Sequence, residues 1–149
     1  MKISKRLQSV KRIFLDSAPV IYYIEKNPDY LDKTQPIFER LDDGSLSATS
    51  SPITLAECLV LPYRLGKLET AHAFFQMLVN SESVTFINLD DQAASMAADL
   101  RARYNLSLPD ALQAAAALLA GCDAFLTNDS SLGRISELSM IVLDEVEPG

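Results

Sequence analysis

The chain is short of the residues that build soft metal sites and membrane spans. It has two cysteines and one histidine in 149 residues. Cys58 and Cys122 stand in separate apolar segments, outside any CxxC or Cys/His spacing. A zinc site is therefore not expected. Both read as buried free thiols, as in a reducing compartment, and nothing argues for a disulfide. No apolar run reaches the roughly 18 residues of a membrane helix. The nearest, residues 111–119, is short and rich in alanine. The opening MKISKRLQSVKR is basic but has no apolar core, and Ile13-Phe14-Leu15 ends at Asp16 after three residues. No secretory leader is expected. The expectation is a cytoplasmic protein with no membrane partner. Repeats, low-complexity tracts and linkers are missing too, which favours one domain.

Positive charge is scarce beyond the first dozen residues. The net charge is −7. Lys2, Lys5, Arg6, Lys11 and Arg12 contribute +5 with no acid among them, and the remainder carries 8 basic and 20 acidic residues. So acidic a body is a poor general binder of a phosphate backbone. It can act on nucleic acid where metal ions neutralise a cluster of acids. On composition alone, acidity that serves solubility is the plainer reading.

What is present suits a globular α/β domain. The hydrophobic fraction is 48%, ordinary for a soluble core. Residues 1–11 read as a basic N-terminal arm, flexible or loosely helical, and residues 12–149 as a single domain. Short apolar strands are expected at 12–15, 46–49, 84–87, 124–126 and 140–143. Helical patterns separate most of them. One starts near Pro19, and others cover 30–41, 67–80, 90–104 and 109–120. Another starts at Pro52, with Pro62 expected to kink or divide it and Gly66 to stop it. Gly121 is the expected stop of the helix over 109–120. Alternation of this kind means a mostly parallel sheet with helices on both faces.

Open parallel sheets gather function at the carboxyl ends of their strands. Asp16 follows the first strand and Asp129 the fourth, on one expected edge. Asp110 opens the helix that leads into the fourth strand. Each has a plain alternative: Asp16 as a helix cap, Asp110 as a first-turn carboxylate favoured by the helix dipole, Asp129 as a turn residue. Glu57 resists such an account. It lies among Leu55, Ala56, Leu59 and Val60 in a helix expected to be mostly buried, with Arg64 the nearest cation in sequence. A buried unpaired carboxylate is costly. A hard cation shared with other acids, Mg²⁺ or Mn²⁺, would resolve that cost.

FLDSAPVIYYIE, ITLAE and LSLPDALQAAAALLAGCDAFLTND together resemble the PIN-domain nucleases, and most of all the VapC-type toxins of toxin–antitoxin pairs. The resemblance runs from about Ile13 to Leu143 and rests on an ordered set of segments, no one of them decisive. It implies a three-layer α/β/α sandwich with a mostly parallel central sheet of four to five strands. It implies Mg²⁺- or Mn²⁺-dependent cleavage of RNA phosphodiester bonds. By matching position it makes Asp16, Glu57, Asp110 and Asp129 the catalytic and metal-binding acids, with Ser17, Thr127 and Asn128 as polar groups beside them. A homodimer and a cognate antitoxin partner follow from the same resemblance. Arg101, Arg103 and the basic N-terminus are candidates for holding the RNA backbone, against a plainer reading as solvated surface charge. His72, alone in ETAHAFF, reads as a helix-face residue and not a general base.

Three other readings compete. The same fold could serve a solitary nuclease acting on DNA or structured RNA. It could serve a non-catalytic interaction domain whose acids only cap helices. A phosphoacceptor receiver domain needs paired acids after the first strand and a late lysine; Asp16 is single there and no lysine follows Lys67.

Overall fold

The computed structural model describes residues 1–149. Five strands, β1 (Arg12–Leu15), β2 (Ser47–Ser50), β3 (Val84–Phe86), β4 (Ala124–Thr127) and β5 (Met140–Val142), form one sheet in the order β3-β2-β1-β4-β5. Every pairing is parallel. The chain builds outward from β1 to β2 and β3, then crosses back to lay β4 on the other side of β1. The β1–β4 boundary is thus the switch point of the sheet, where a crevice opens at the strand ends.

Alternation along β1 divides the core. Ile13 and Leu15 face one layer and Phe14 the other. The Ile13 side is covered by α1 (Ile3–Arg6), α2 (Ser17–Ile24), α3 (Leu31–Asp42), α4 (Pro52–Leu65) and α5 (Leu68–Leu78). The Phe14 side is covered by α6 (Asp91–Tyr104), α7 (Leu108–Leu119) and the 3-10 turn Ser130–Arg134. There Phe14 stacks on Phe125 of β4 with centroids 5.0 Å apart. The result is the three-layer α/β/α sandwich with a parallel sheet. The strand ends fall within one or two residues of the expected positions.

Two expectations are corrected. Residues 1–11 do not form a loose arm. Ile3, Leu7 and Val10 are buried in the core, and the Arg6 guanidinium donates to the Met140 carbonyl at 2.8 Å. Their spacing of four and three is an apolar helical stripe, hidden in the sequence by the cations between them. Pro62 does not divide α4, which is continuous from Pro52 to Leu65. Proline removes one backbone donor there, while a Ser51 cap at the start and a left-handed Gly66 at the end hold the helix. Both cysteines are free; Cys58 is buried and Cys122 half-buried.

Candidate active site

Asp16 sits at the carboxyl end of β1, where the extended backbone turns into α2. Its Oδ1 accepts from the Ser17 amide at 2.9 Å, so it caps that helix. Its Oδ2 accepts from Thr127 Oγ1 at 2.8 Å, across the switch point from the end of β4. Gln113 Nε2 approaches Oδ1 at 3.5 Å. Burial lifts the Asp16 pKa above its usual range and the Asp110 charge adds to the lift; the hydrogen bonds from Thr127, Ser17 and Gln113 oppose it.

Glu57 reaches the same place from α4. The Ser17 hydroxyl donates to Glu57 Oε1 at 3.1 Å. Desolvation raises its pKa too, and the charges of Asp16 and Asp110 raise it further, against the Ser17 bond. Glu57 is nonetheless exposed, not buried as its apolar neighbours suggested. The inward stripe of α4 is Thr54, Cys58, Leu59 and Pro62, and Glu57 stands at its edge beside the exposed Ala56. Neighbouring groups crowd the carboxyl while much of the residue stays in water.

Asp110 occupies the first turn of α7. The Ser107 hydroxyl caps that helix by accepting from the Asp110 amide at 3.3 Å. Pro109 beside it suits a first turn, where no N–H is needed. The charge of Asp110 acts on both Asp16 and Glu57. Three acids from three elements therefore share one field.

Asp129 is placed differently. It follows β4 as expected, but its Oδ1 accepts from the Ser131 amide at 3.0 Å and the Ser131 hydroxyl at 2.7 Å. It caps the 3-10 turn, and it is not among the charges that lift Asp16 or Glu57. Thr127 holds both ends of this edge, since its hydroxyl also accepts from the Asp129 amide at 3.1 Å. Asn128 makes its hydrogen bonds to groups other than the four acids. Its amide donates to the Tyr22 and Tyr30 hydroxyls at 3.3 and 3.1 Å, and its oxygen accepts from the Asp144 amide at 2.9 Å.

Arg101 and Arg103 are engaged elsewhere. Arg101 donates to the Leu106 carbonyl and shapes the loop ahead of Ser107. Arg103 pairs with Asp99 and Glu137 at 2.9 and 2.6 Å, lies over the Tyr104 ring and helps hold the Glu137 carboxyl down at about 2, after the Tyr104 hydroxyl. Lys11 and Arg12 lie at the amino end of β1, and the backbone N–H groups of both bond Asp123. That is the sheet edge opposite the acids. His72 is exposed and meets only Gln76.

Sequence reasoning missed a buried polar group beneath the acids. Gln113, Thr54 and Ser51 are all buried. Gln113 Nε2 donates to Thr54 Oγ1 at 2.7 Å, and Ser51 Oγ donates to Gln113 Oε1. The available signal was one amide in an otherwise apolar helix, three residues after Asp110.

The donor set fits a hard divalent cation. Asp16, Glu57 and Asp110 offer oxygen only and have no ion-pair partner, since both salt bridges of the molecule belong to Arg103. Cys58, next to Glu57, is pushed strongly toward its neutral thiol by burial and offers no thiolate. No three acids converge tightly enough to ligate one ion directly.

The PIN domain family model matches residues 13–138. VapBC2 from Rickettsia felis, solved on a DNA fragment of its promoter, is similar at 18% identity and a TM-score of 0.68, over 88% of this chain and 98% of that one. A toxin–antitoxin complex from Klebsiella pneumoniae matches at 21% identity and a TM-score of 0.66, over 89% and 98%. VapC20 of Mycobacterium tuberculosis, a sarcin–ricin loop cleaving toxin, matches at 16% identity and a TM-score of 0.68, over 83% and 95%. No curated protein sequence matches the chain. With a family model spanning most of its length, and with the fold shared by these toxins, the chain belongs to the PIN-domain family.

Proposed function

We propose that this PIN-domain protein is a metal-dependent endoribonuclease, the toxin of a toxin–antitoxin pair. The observation that carries the reading is Ser17, which binds Asp16 through its amide and Glu57 through its hydroxyl while the Asp110 charge acts on both. Asp16, Glu57 and Asp110 would hold Mg²⁺ or Mn²⁺. There such a cation would supply an acidified water and offset charge on the phosphate oxygens. Thr127, the Ser17 amide and Gln113 orient Asp16 before a cation arrives. Asp129, at the neighbouring strand end, keeps Oδ2 free of hydrogen bonds and is assigned to the rim, where it would orient water or a second cation.

RNA as substrate is supported by the likeness to a toxin that cleaves the sarcin–ricin loop. An antitoxin partner is supported by the likeness to solved toxin–antitoxin complexes. A homodimer is supported by exposed Val60, Leu61, Tyr63, Leu65 and Leu68 on α4 and α5. A cytoplasmic setting is supported by the two free thiols. No helix is long and apolar enough to cross a membrane.

A non-catalytic domain would keep Asp16 and Asp129 as caps, and both do cap. It gives no reason for the Ser17 hydroxyl to hold Glu57, from another helix, within the field of Asp16 and Asp110. The deciding experiment incubates the protein with tRNA and mRNA in Mg²⁺ or Mn²⁺, with EDTA as control. Cleavage that needs the metal supports the proposal. RNA left intact under every metal condition, by folded protein freed of any partner, overturns it.

A further inference from the structure

Asp16, Glu57 and Asp110 stand on three separate elements, so something must fix their spacing. Gln113 follows Asp110 by three residues on α7, and Thr54 precedes Glu57 by three on α4. Each pair therefore shares a helix face. The two inner members, Gln113 and Thr54, meet at 2.7 Å in the buried interior. The second Nε2 hydrogen of Gln113 points to Asp16 Oδ1 at 3.5 Å.

The direction of every bond in this group is determined. Thr54 Oγ1 donates to the Leu15 carbonyl at 2.8 Å, so it can only accept from Gln113. Ser51 Oγ accepts from the Ile53 and Thr54 amides at 3.2 and 3.4 Å, so its hydrogen is free for Gln113 Oε1. Turning the amide over would set its oxygen against the Asp16 carboxylate. No buried side-chain polar atom is left without a partner. One amide thus ties α7 to the α4 cap and to the last residues of β1. An apolar side chain would fill the same volume among the alanines of α7 without the cost of burying an amide. A closed network of this kind rigidifies what it joins.

We infer that Gln113, through Thr54, is a positioning residue that sets the spacing of Asp16, Glu57 and Asp110 for a divalent cation. The inference rests on the reading of those acids as a cation site. Groups that orient metal ligands typically change metal affinity about 10–100-fold when removed.

The test titrates Mn²⁺ into the full chain by calorimetry, with thermal unfolding of the metal-free protein measured alongside. Gln113→Met keeps the length of the side chain and removes both amide groups. Thr54→Val removes one hydroxyl at constant shape, and Thr54→Ser restores it. Gln113→Met and Thr54→Val are expected to weaken Mn²⁺ binding about tenfold or more, with Thr54→Ser close to wild type. The double variant Thr54→Val/Gln113→Met should weaken binding by less than the two single effects combined, because both changes break the shared Gln113–Thr54 bond. Wild-type affinity in folded Gln113→Met and Thr54→Val overturns the inference. Equal weakening by Thr54→Ser and Thr54→Val also overturns it, by assigning the effect to packing. If Gln113→Met does not fold, the two Thr54 variants decide. Failure of the wild-type protein itself to bind Mn²⁺ is a different result, and it removes the cation-site reading on which the inference stands.

Discussion

The hydroxyl of Ser17 donates to Oε1 of Glu57 over 3.1 Å and so joins the first residue of α2 to the middle of α4. The amide of the same serine holds Asp16. Ser17→Ala keeps the amide and deletes the hydroxyl. It is expected to leave the Asp16 cap and the melting temperature near wild type. Glu57 loses its orienting donor, so Mn²⁺ affinity should fall about tenfold. Calorimetric titration of the variant checks this, and unchanged affinity would remove Ser17 from the account.

Thr127 makes two bonds with one hydroxyl, donating to Asp16 and accepting from the Asp129 amide. Thr127→Val breaks both in a fully buried position. A loss of about 1–3 kcal/mol in unfolding free energy is expected, the usual cost of leaving a buried polar group unpaired. Metal affinity should fall with it. Urea unfolding measures the first and Mn²⁺ titration the second.

Asp16 and Glu57 impose a pH dependence on the metal-free protein. Folding raises both pKa values, from ordinary values of 3.8 and 4.5. The native state then holds more protons than the unfolded chain between each ordinary value and the raised one. The contribution to stability is fully present below the ordinary values and is lost as pH rises through the raised ones. Asp16→Asn removes one of the two groups. The melting temperature of wild type relative to Asp16→Asn should therefore fall as pH rises above the ordinary value of 3.8 in EDTA. A difference that stays flat or grows with pH would contradict the direction given for Asp16.

Arg103 is bound to its own chain, to Asp99 and Glu137, in an exposed ion-pair cluster. Exposed pairs of this kind contribute little. Arg103→Ala should lower the melting temperature slightly, less so at high salt, and leave the KM for RNA unchanged. A several-fold rise in KM with unchanged stability would instead give Arg103 a place on the RNA backbone.

The sequence and the structure agree best where local signals are strong. The β1 to Asp16 turn, the Pro109–Asp110 helix start and the Gly121 stop each follow from residues adjacent in the chain. The parallel sheet follows from short apolar strands separated by helical stripes. What was illegible depends on direction in space. Glu57 sits in apolar sequence yet lies at the edge of the α4 stripe, which a shift of one residue in helical phase decides. Asp129 looks like Asp16 in sequence, but Ser131 two residues on captures its oxygen. Ile3, Leu7 and Val10 pack because the chain start lies against β5, where Arg6 finds the Met140 carbonyl. Gln113 and Thr54 meet although they lie 59 positions apart in the chain, and neither bears a charge to mark it.

The most direct measurement compares RNA cleavage by wild type, Asp16→Asn and Asp110→Asn in Mg²⁺ or Mn²⁺. Asp110→Asn removes one charge from a repelling set that has no cationic partner and should unfold near the wild-type temperature without metal, while Asp16→Asn keeps the Ser17 cap, gives up the acceptor for Thr127 and should unfold somewhat below it. Cleavage by wild type that stops in EDTA, and that is abolished in both folded variants, is the expected result. Cleavage at the full wild-type rate in both variants would contradict the assignment of these acids.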